Sequence, residues 1–181
     1  SMVLHLNKGG GAVFPKSEHQ TKVEEFMRLA KQELPESPME PSEEVRLLRA
    51  KLIFEEAVET IRALGVVVYV PAAGADMHTN VDRAEFEIAP VPFNLVETID
   101  GCCDLRVVTT GTLSACGVPD EVFQNAVDEN NLAKFGPGHY VADGTPDKPG
   151  PVGKLIKPPG HKPPDILGLL SQLSDYRGSG I

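Results

Sequence analysis

Six carboxylates fall into two groups whose spacing suits the capture of a divalent cation. Glu55, Glu56 and Glu59 interrupt an apolar run that includes Leu48, Leu52, Ile53, Phe54, Ala57, Val58 and Ile61. On a helix turning by roughly 100° per residue, the three acids span an arc of about 100°. Val45, Leu48, Leu52 and Ala63 share that arc, so the acids continue an inward-facing stripe. Glu97, Asp100 and Asp104 follow at i, i+3 and i+7 and point to one side of a second helix. Val107, Val108 and Gly111 lie on that side, and a glycine there admits a close neighbour.

Facing each other, two such helices would gather up to six negative charges. Like carboxylates a few ångströms apart in low dielectric cannot all ionise, so the pattern calls for cations, either basic side chains or divalent metal. Arg106 points away from its helix's acids, while Lys51 and Arg62 lie just outside the first arc and balance only part of the charge. An all-oxygen donor set without His or Cys suits Mg2+ or Mn2+ rather than Zn2+. The segments Glu56-x-x-Glu59 and Glu97-x-x-Asp100 also lack the histidine of Glu-x-x-His iron sites. The plainer reading is that the acids line solvated helix faces.

The elements that must position these acids are mostly helical. Val23, Phe26, Met27, Ala30 and Leu34 recur at helical spacing over 18–34, and PESPMEP (35–41) breaks the pattern. Pro41-Ser42-Glu43-Glu44 opens a second helix that runs to about Leu64 and stops at Gly65. Residues 65–70 and 85–91 read as short strands of a small β-hairpin insertion at about 65–92. A third helix covers roughly 94–114, a fourth 119–134, and ILGLLSQL (166–173) is a short apolar one. The expectation is an all-α bundle of four to five helices forming one domain over 18–174. A flexible arm over 1–17, a Gly/Pro-rich loop over 135–165 and a tail over 175–181 complete it.

Composition narrows the function classes. The 181 residues are 41% hydrophobic with only 6% aromatics and no Trp, which suits helices packed through aliphatic side chains. A net charge of −9 argues against nucleic acid as a partner. No apolar run is long enough for a membrane span, and the first residues lack a signal-peptide layout, so a cytoplasmic protein is expected. Cys102, Cys103 and Cys116 form no C-x-x-C pair, and adjacent Cys102 and Cys103 read as small core residues. Lys8-Gly-Gly-Gly11 lacks the order of a phosphate-binding P-loop, and no G-x-S-x-G is present.

Glu55-Glu56-x-x-Glu59 followed by Glu97-x-x-Asp100 resembles the E-E-x-x-E … E-x-x-D signature of the all-α nucleoside triphosphate pyrophosphohydrolases. This superfamily holds the MazG-like enzymes, phosphoribosyl-ATP pyrophosphohydrolase and the dimeric dUTPases. VDENNLAKFG (127–136) and GKLIKPPGHKPPDI (153–166) are similar to a phosphoribosyl-ATP pyrophosphohydrolase-like subgroup. Residues 65–93 depart from it, being longer than the turn usually placed between the acid helices.

The resemblance implies a MazG-like bundle that cleaves the α–β phosphoanhydride of a nucleoside triphosphate or a related nucleotide, giving the monophosphate and pyrophosphate. Glu56, Glu59, Glu97 and Asp100 are the metal ligands it implies, with Asp104 either a further ligand or a group behind them. Glu55 binds metal or orients and deprotonates water, completing a catalytic set with Glu56 and Glu59. Mg2+, with Mn2+ as a substitute, would offset repulsion between an acidic protein and an anionic substrate and lower the pKa of the attacking water. Asn131, Lys134 and Lys157 are implied to contact phosphate, Lys157 within a basic patch with Lys154, His161 and Lys162. That patch reads equally as a lid and as an arm wrapping a subunit, and a homodimer or homotetramer is expected. The rival classes are a non-catalytic nucleotide- or metal-binding module and a helical assembly protein whose acids pair with another subunit's lysines.

Overall fold

The computed structural model describes residues 5–6, 12–71, 76 and 81–173. Five α-helices carry the fold: α1 (Glu18–Leu29), α2 (Glu43–Ala63), α3 (Leu95–Ala115), α4 (Glu121–Ala133) and α5 (Ile166–Leu170). The first three begin on side-chain caps. Ser17 accepts from the Gln20 amide, Ser42 from Val45 and Asn94 from Glu97, each satisfying an otherwise orphaned N–H. α1 ends earlier than its apolar spacing suggests. Lys31 takes a left-handed conformation at φ 59°, and the chain turns away there.

Gly65, at φ 73°, closes α2 and sends the chain into β3 (Val66–Tyr69), which pairs antiparallel with β4 (Glu85–Ile88). The hairpin expected at 65–92 is therefore present, with Val66 opposite Ile88 and Tyr69 opposite Glu85. A Cβ at residue 65 would lie 3.1 Å from the Phe93 amide nitrogen, so glycine lets the chain leaving the hairpin pass closely. Two smaller strand pairs were not anticipated: β1 (His5–Leu6) with β2 (Ala12–Val13), and β5 (Tyr140–Val141) with β6 (Leu155–Ile156).

α2 and α3 form the principal helix pair, and α1 packs on α3. The core lies in two parts. Val23 and Met27 of α1 meet Ala115 of α3, flanked by Leu34, Val45 and Val107. Phe14, Val122, Phe123 and Leu173 form the other, flanked by Val118, Leu169 and Leu170. Gln20, fully buried, ties the two together. Its amide nitrogen donates to Ser114 Oγ (3.0 Å) and the Val118 carbonyl (2.8 Å), and its oxygen accepts from the Asp120 amide (2.9 Å).

Two expectations need correction. Phe14, placed in a flexible arm, is buried edge-to-face against Phe123. The rest of that arm is described only at 5–6 and 12–17, and the tail over 175–181 lies outside the described residues. Cys102 and Cys103, read as core residues, are both exposed. They sit on a flank of α3 that neither α2 nor α1 covers. Among the described residues, no helix is long and apolar enough to cross a membrane.

Candidate active site

The two acid helices run antiparallel, and small or short residues fix their register. Thr60 of α2 lies against Gly101 of α3, where a Cβ would sit 3.2 Å from the Thr60 Cα. Arg49 lies against Val108 and Gly111, where a Cβ would be 2.6 Å from the guanidinium Nη2. The register brings Glu56 near Asp104, with Glu59, Asp100 and Glu55 also acting on it, while Glu97 lies about a turn before Gly101 on α3. Gly101→Ala is therefore expected to cost about 1–3 kcal/mol by forcing α2 and α3 apart. The same change in an unpacked helix interior stabilises by up to about 1 kcal/mol. The sign of the shift in a denaturant midpoint checks the packing.

Glu56 and Asp104 are half-buried, whereas Glu55, Glu59, Glu97 and Asp100 are exposed. The inward stripe of α2 thus centres on Arg49, Glu56 and Thr60 rather than on all three glutamates. Partial burial raises the Glu56 pKa above the ordinary carboxylate value, and the charges of Asp104, Glu59, Asp100 and Glu55 push it the same way. Five of the six acids are thereby coupled in one field; Glu97 is not among those acting on Glu56. A cavity of about 310 Å³ opens beside them, lined by Glu56 and Asp104 together with Phe26, Leu52, Val107 and Arg49.

Lys16–Glu24, Lys22–Glu18 and Arg46–Glu40 form ion pairs, and among the described residues no ion pair involves the six acids. Lys51 and Arg62 do not neutralise them. Nor, among the described residues, are three or more Asp, Glu, His or Cys groups gathered into a ready metal cage. The donor set nevertheless fits a hard divalent cation. It is all oxygen, it holds excess negative charge that raises Glu56, and its outer members sit on exposed side chains free to turn inward.

Arg49 was not singled out from the sequence. Its Nη2 donates to the Val108 carbonyl (2.9 Å), Nε to Thr112 Oγ1 (3.2 Å) and Nη1 to Gln32 Oε1 (3.3 Å), and the side chain is buried. Desolvation lowers its pKa. The available signal was spacing, because residue 49 precedes Glu56 by two helical turns on the same face as Val45 and Leu52.

Among the described residues, none of those expected to contact phosphate is paired with the acids. α4 packs on α5 and makes no close backbone approach to α2 or α3. Lys134 Nζ donates to Asn131 Oδ1 (2.8 Å), and Lys157 is exposed. The basic patch is tied to α4 instead. His161 Nε2 lies 3.0 Å from Asn130 Oδ1, and the Asn130 amide donates to the Lys162 carbonyl (2.8 Å).

A helical bundle with opposed carboxylate faces on its central helix pair has the architecture of the all-α, MazG-like nucleoside triphosphate pyrophosphohydrolases. The chain belongs to the phosphoribosyl-ATP pyrophosphohydrolase family, whose model matches residues 23–131. The match takes in the second half of α1, all of α2, the hairpin and α3, and most of α4, but ends before Lys134 and the 153–166 stretch. Comparison with curated proteins finds no match. Family membership makes this chain a hydrolase that cleaves a phosphoanhydride bond in a nucleotide.

Proposed function

We propose that the protein is a Mg2+-dependent nucleotide pyrophosphohydrolase that cleaves the α–β bond of a nucleoside triphosphate or a related nucleotide. Phosphoribosyl-ATP, named in the family's description, is one candidate. One observation carries the reading: four carboxylates from two helices act on Glu56, and among the described residues no ion pair involves any of them. Glu56, Glu59, Asp100 and Asp104 would hold Mg2+ or Mn2+, with Glu97 joining from the rim. The bound cation supplies charge neutralisation for the phosphates and lowers the pKa of water.

The chain's own residues do the rest. Asp104 and Glu56 fix the centre of the site across the helix pair. Glu55, one residue along and exposed, would accept a proton from water. Phe26, Leu52 and Val107 give the adjoining cavity apolar walls, which strengthen each electrostatic contact made beside them. Three free cysteines suit a reducing cytoplasm, and the enzyme works as a homo-oligomer.

The test is pyrophosphate release across standard, deoxy and modified triphosphates and phosphoribosyl-ATP, with and without Mg2+. Turnover that requires Mg2+ is expected on at least one of them. Mg2+ alone should also raise the melting temperature, since a hundredfold excess over its Kd adds about 2.7 kcal/mol of stability. Binding without turnover on every nucleotide would favour a non-catalytic module. An unmoved melting temperature would favour an assembly protein.

A further inference from the structure

The cavity beside Glu56 and Asp104 holds a polar group that the hydrolysis itself leaves unused. Apart from the two acids, its polar side chains are Arg49 and Gln32. Each nitrogen of the Arg49 guanidinium already serves an acceptor: Thr112 Oγ1, Gln32 Oε1 or the Val108 carbonyl. Gln32 is different. Its oxygen accepts from Arg49 Nη1 (3.3 Å), and because a guanidinium only donates, that contact fixes which end of the amide is which. The amide nitrogen, with two N–H donors, is the free end and makes no hydrogen bond among the described residues. Gln32 stands where the cavity meets a second one of about 540 Å³, so open space adjoins it on both sides.

The backbone beneath this donor is held as well. The Lys31 amide donates to the Arg28 carbonyl (3.0 Å) and the Gln32 amide to the Met27 carbonyl (2.9 Å), the two bonds of a Schellman cap that closes α1. Earlier on α1, Phe26 lines the same cavity with its ring 62% exposed. An open aromatic face beside a fixed donor suits a flat heteroaromatic ring, which stacks on the one and is read by the other. Arg49, which grips Gln32, precedes Glu56 by seven residues, about 10 Å along α2. That is close to the reach of a nucleotide from its α-phosphate to the far edge of its base. At about 310 Å³ the cavity is small for a ligand pocket, so it takes one portion of a nucleotide and not the whole.

We propose that Gln32 selects the base of the substrate: its amide donates to a carbonyl oxygen on the base edge and rejects an exocyclic amino group at that place. Two donors set against each other leave both without an acceptor, which is the source of the rejection. Nucleotides with keto bases, of the uracil or hypoxanthine type, are therefore preferred to their amino counterparts, cytosine and adenine. This places phosphoribosyl-ATP, whose base is an adenine, behind the keto nucleotides. The inference rests on the nucleotide reading above and adds the residue that discriminates.

The test is kcat/KM for pyrophosphate release from two matched pairs, inosine against adenosine triphosphate and uridine against cytidine triphosphate. Each pair exchanges a carbonyl for an amino group at one position of the base. Wild type is expected to prefer the keto member of at least one pair by about tenfold. Gln32→Glu keeps an oxygen for Arg49 but presents only acceptors, and it is expected to invert that preference. Phe26→Ala removes the stack, which tolerates any base, so KM should rise for both members while their ratio holds. A Gln32 that merely propped Arg49 would lower all rates together, so an unchanged ratio in Gln32→Glu overturns the inference. A wild type with no keto preference in either pair overturns it too, and that measurement stands even where the variant fails to fold. Should wild type release pyrophosphate from none of the four, the proposed reaction fails separately. The ratios of their dissociation constants, by titration calorimetry with Mg2+, then decide the role of Gln32 by the same criteria.

Discussion

Replacing Glu56 with Gln is expected to cut Mg2+-dependent pyrophosphate release by roughly 10²–10³-fold. Among the six acids only Glu56 and Asp104 are half-buried, and Asp104 is the strongest charged neighbour of Glu56. The amide keeps the shape and removes the charge on which the cluster converges. Stability moves the other way. The native Glu56 pKa is raised, first by burial and then by its four acidic neighbours. Between the ordinary and the raised value the native state therefore binds more protons than the unfolded one, and wild type loses stability as pH rises through that window. Glu56→Gln lacks this loss. Without metal it should melt no lower than wild type at neutral pH, and its rise in Tm on adding Mg2+ should shrink. Paired melting curves and steady-state rates check both halves; an unaltered rate would remove Glu56 from the site.

Much of this was legible because caps and acids act locally. Apolar spacing marks the first helix, Pro41-Ser42-Glu43-Glu44 the start of the second and Gly65 its stop, so the long helices and the hairpin follow from near neighbours. The acids were legible as two groups because helical spacing sets their faces. Which of them lie innermost was not, because that depends on register. Gly101 against Thr60 fixes the register, and no helical period reveals which residue a glycine will meet. Burial of Cys102 and Cys103 was misjudged for a related reason: apolar spacing says that a flank is to be covered, not that the same chain covers it. The placement of Lys134 and Asn131 rests on how α4 docks. Phe14, Phe123 and the Gln20 network set that docking, through contacts spanning about a hundred residues of chain.

Arg49→Ala is expected to be the most destabilising single change considered, at about 3–5 kcal/mol. Three donors of one guanidinium join α2 to the Val108 carbonyl and Thr112 of α3 and to Gln32 beyond α1. Truncation would open a void against Gly111, whose missing side chain makes room for the guanidinium. It would also leave Gln32 Oε1 without that donor. For a chain of this length the cost corresponds to a fall in Tm of roughly 6–20 °C. Arg49→Lys should recover only part of it, because an ammonium lacks the planar fork that reaches three acceptors at once. Since Arg49 and Glu56 line one cavity on the same helix face, loosening this joint should also weaken the stabilisation by Mg2+. Scanning calorimetry of the two variants with and without Mg2+ measures both effects. An Arg49→Ala protein melting within about 2 °C of wild type, below the shift that even 1 kcal/mol produces, would show that the helix pair holds its register without the guanidinium.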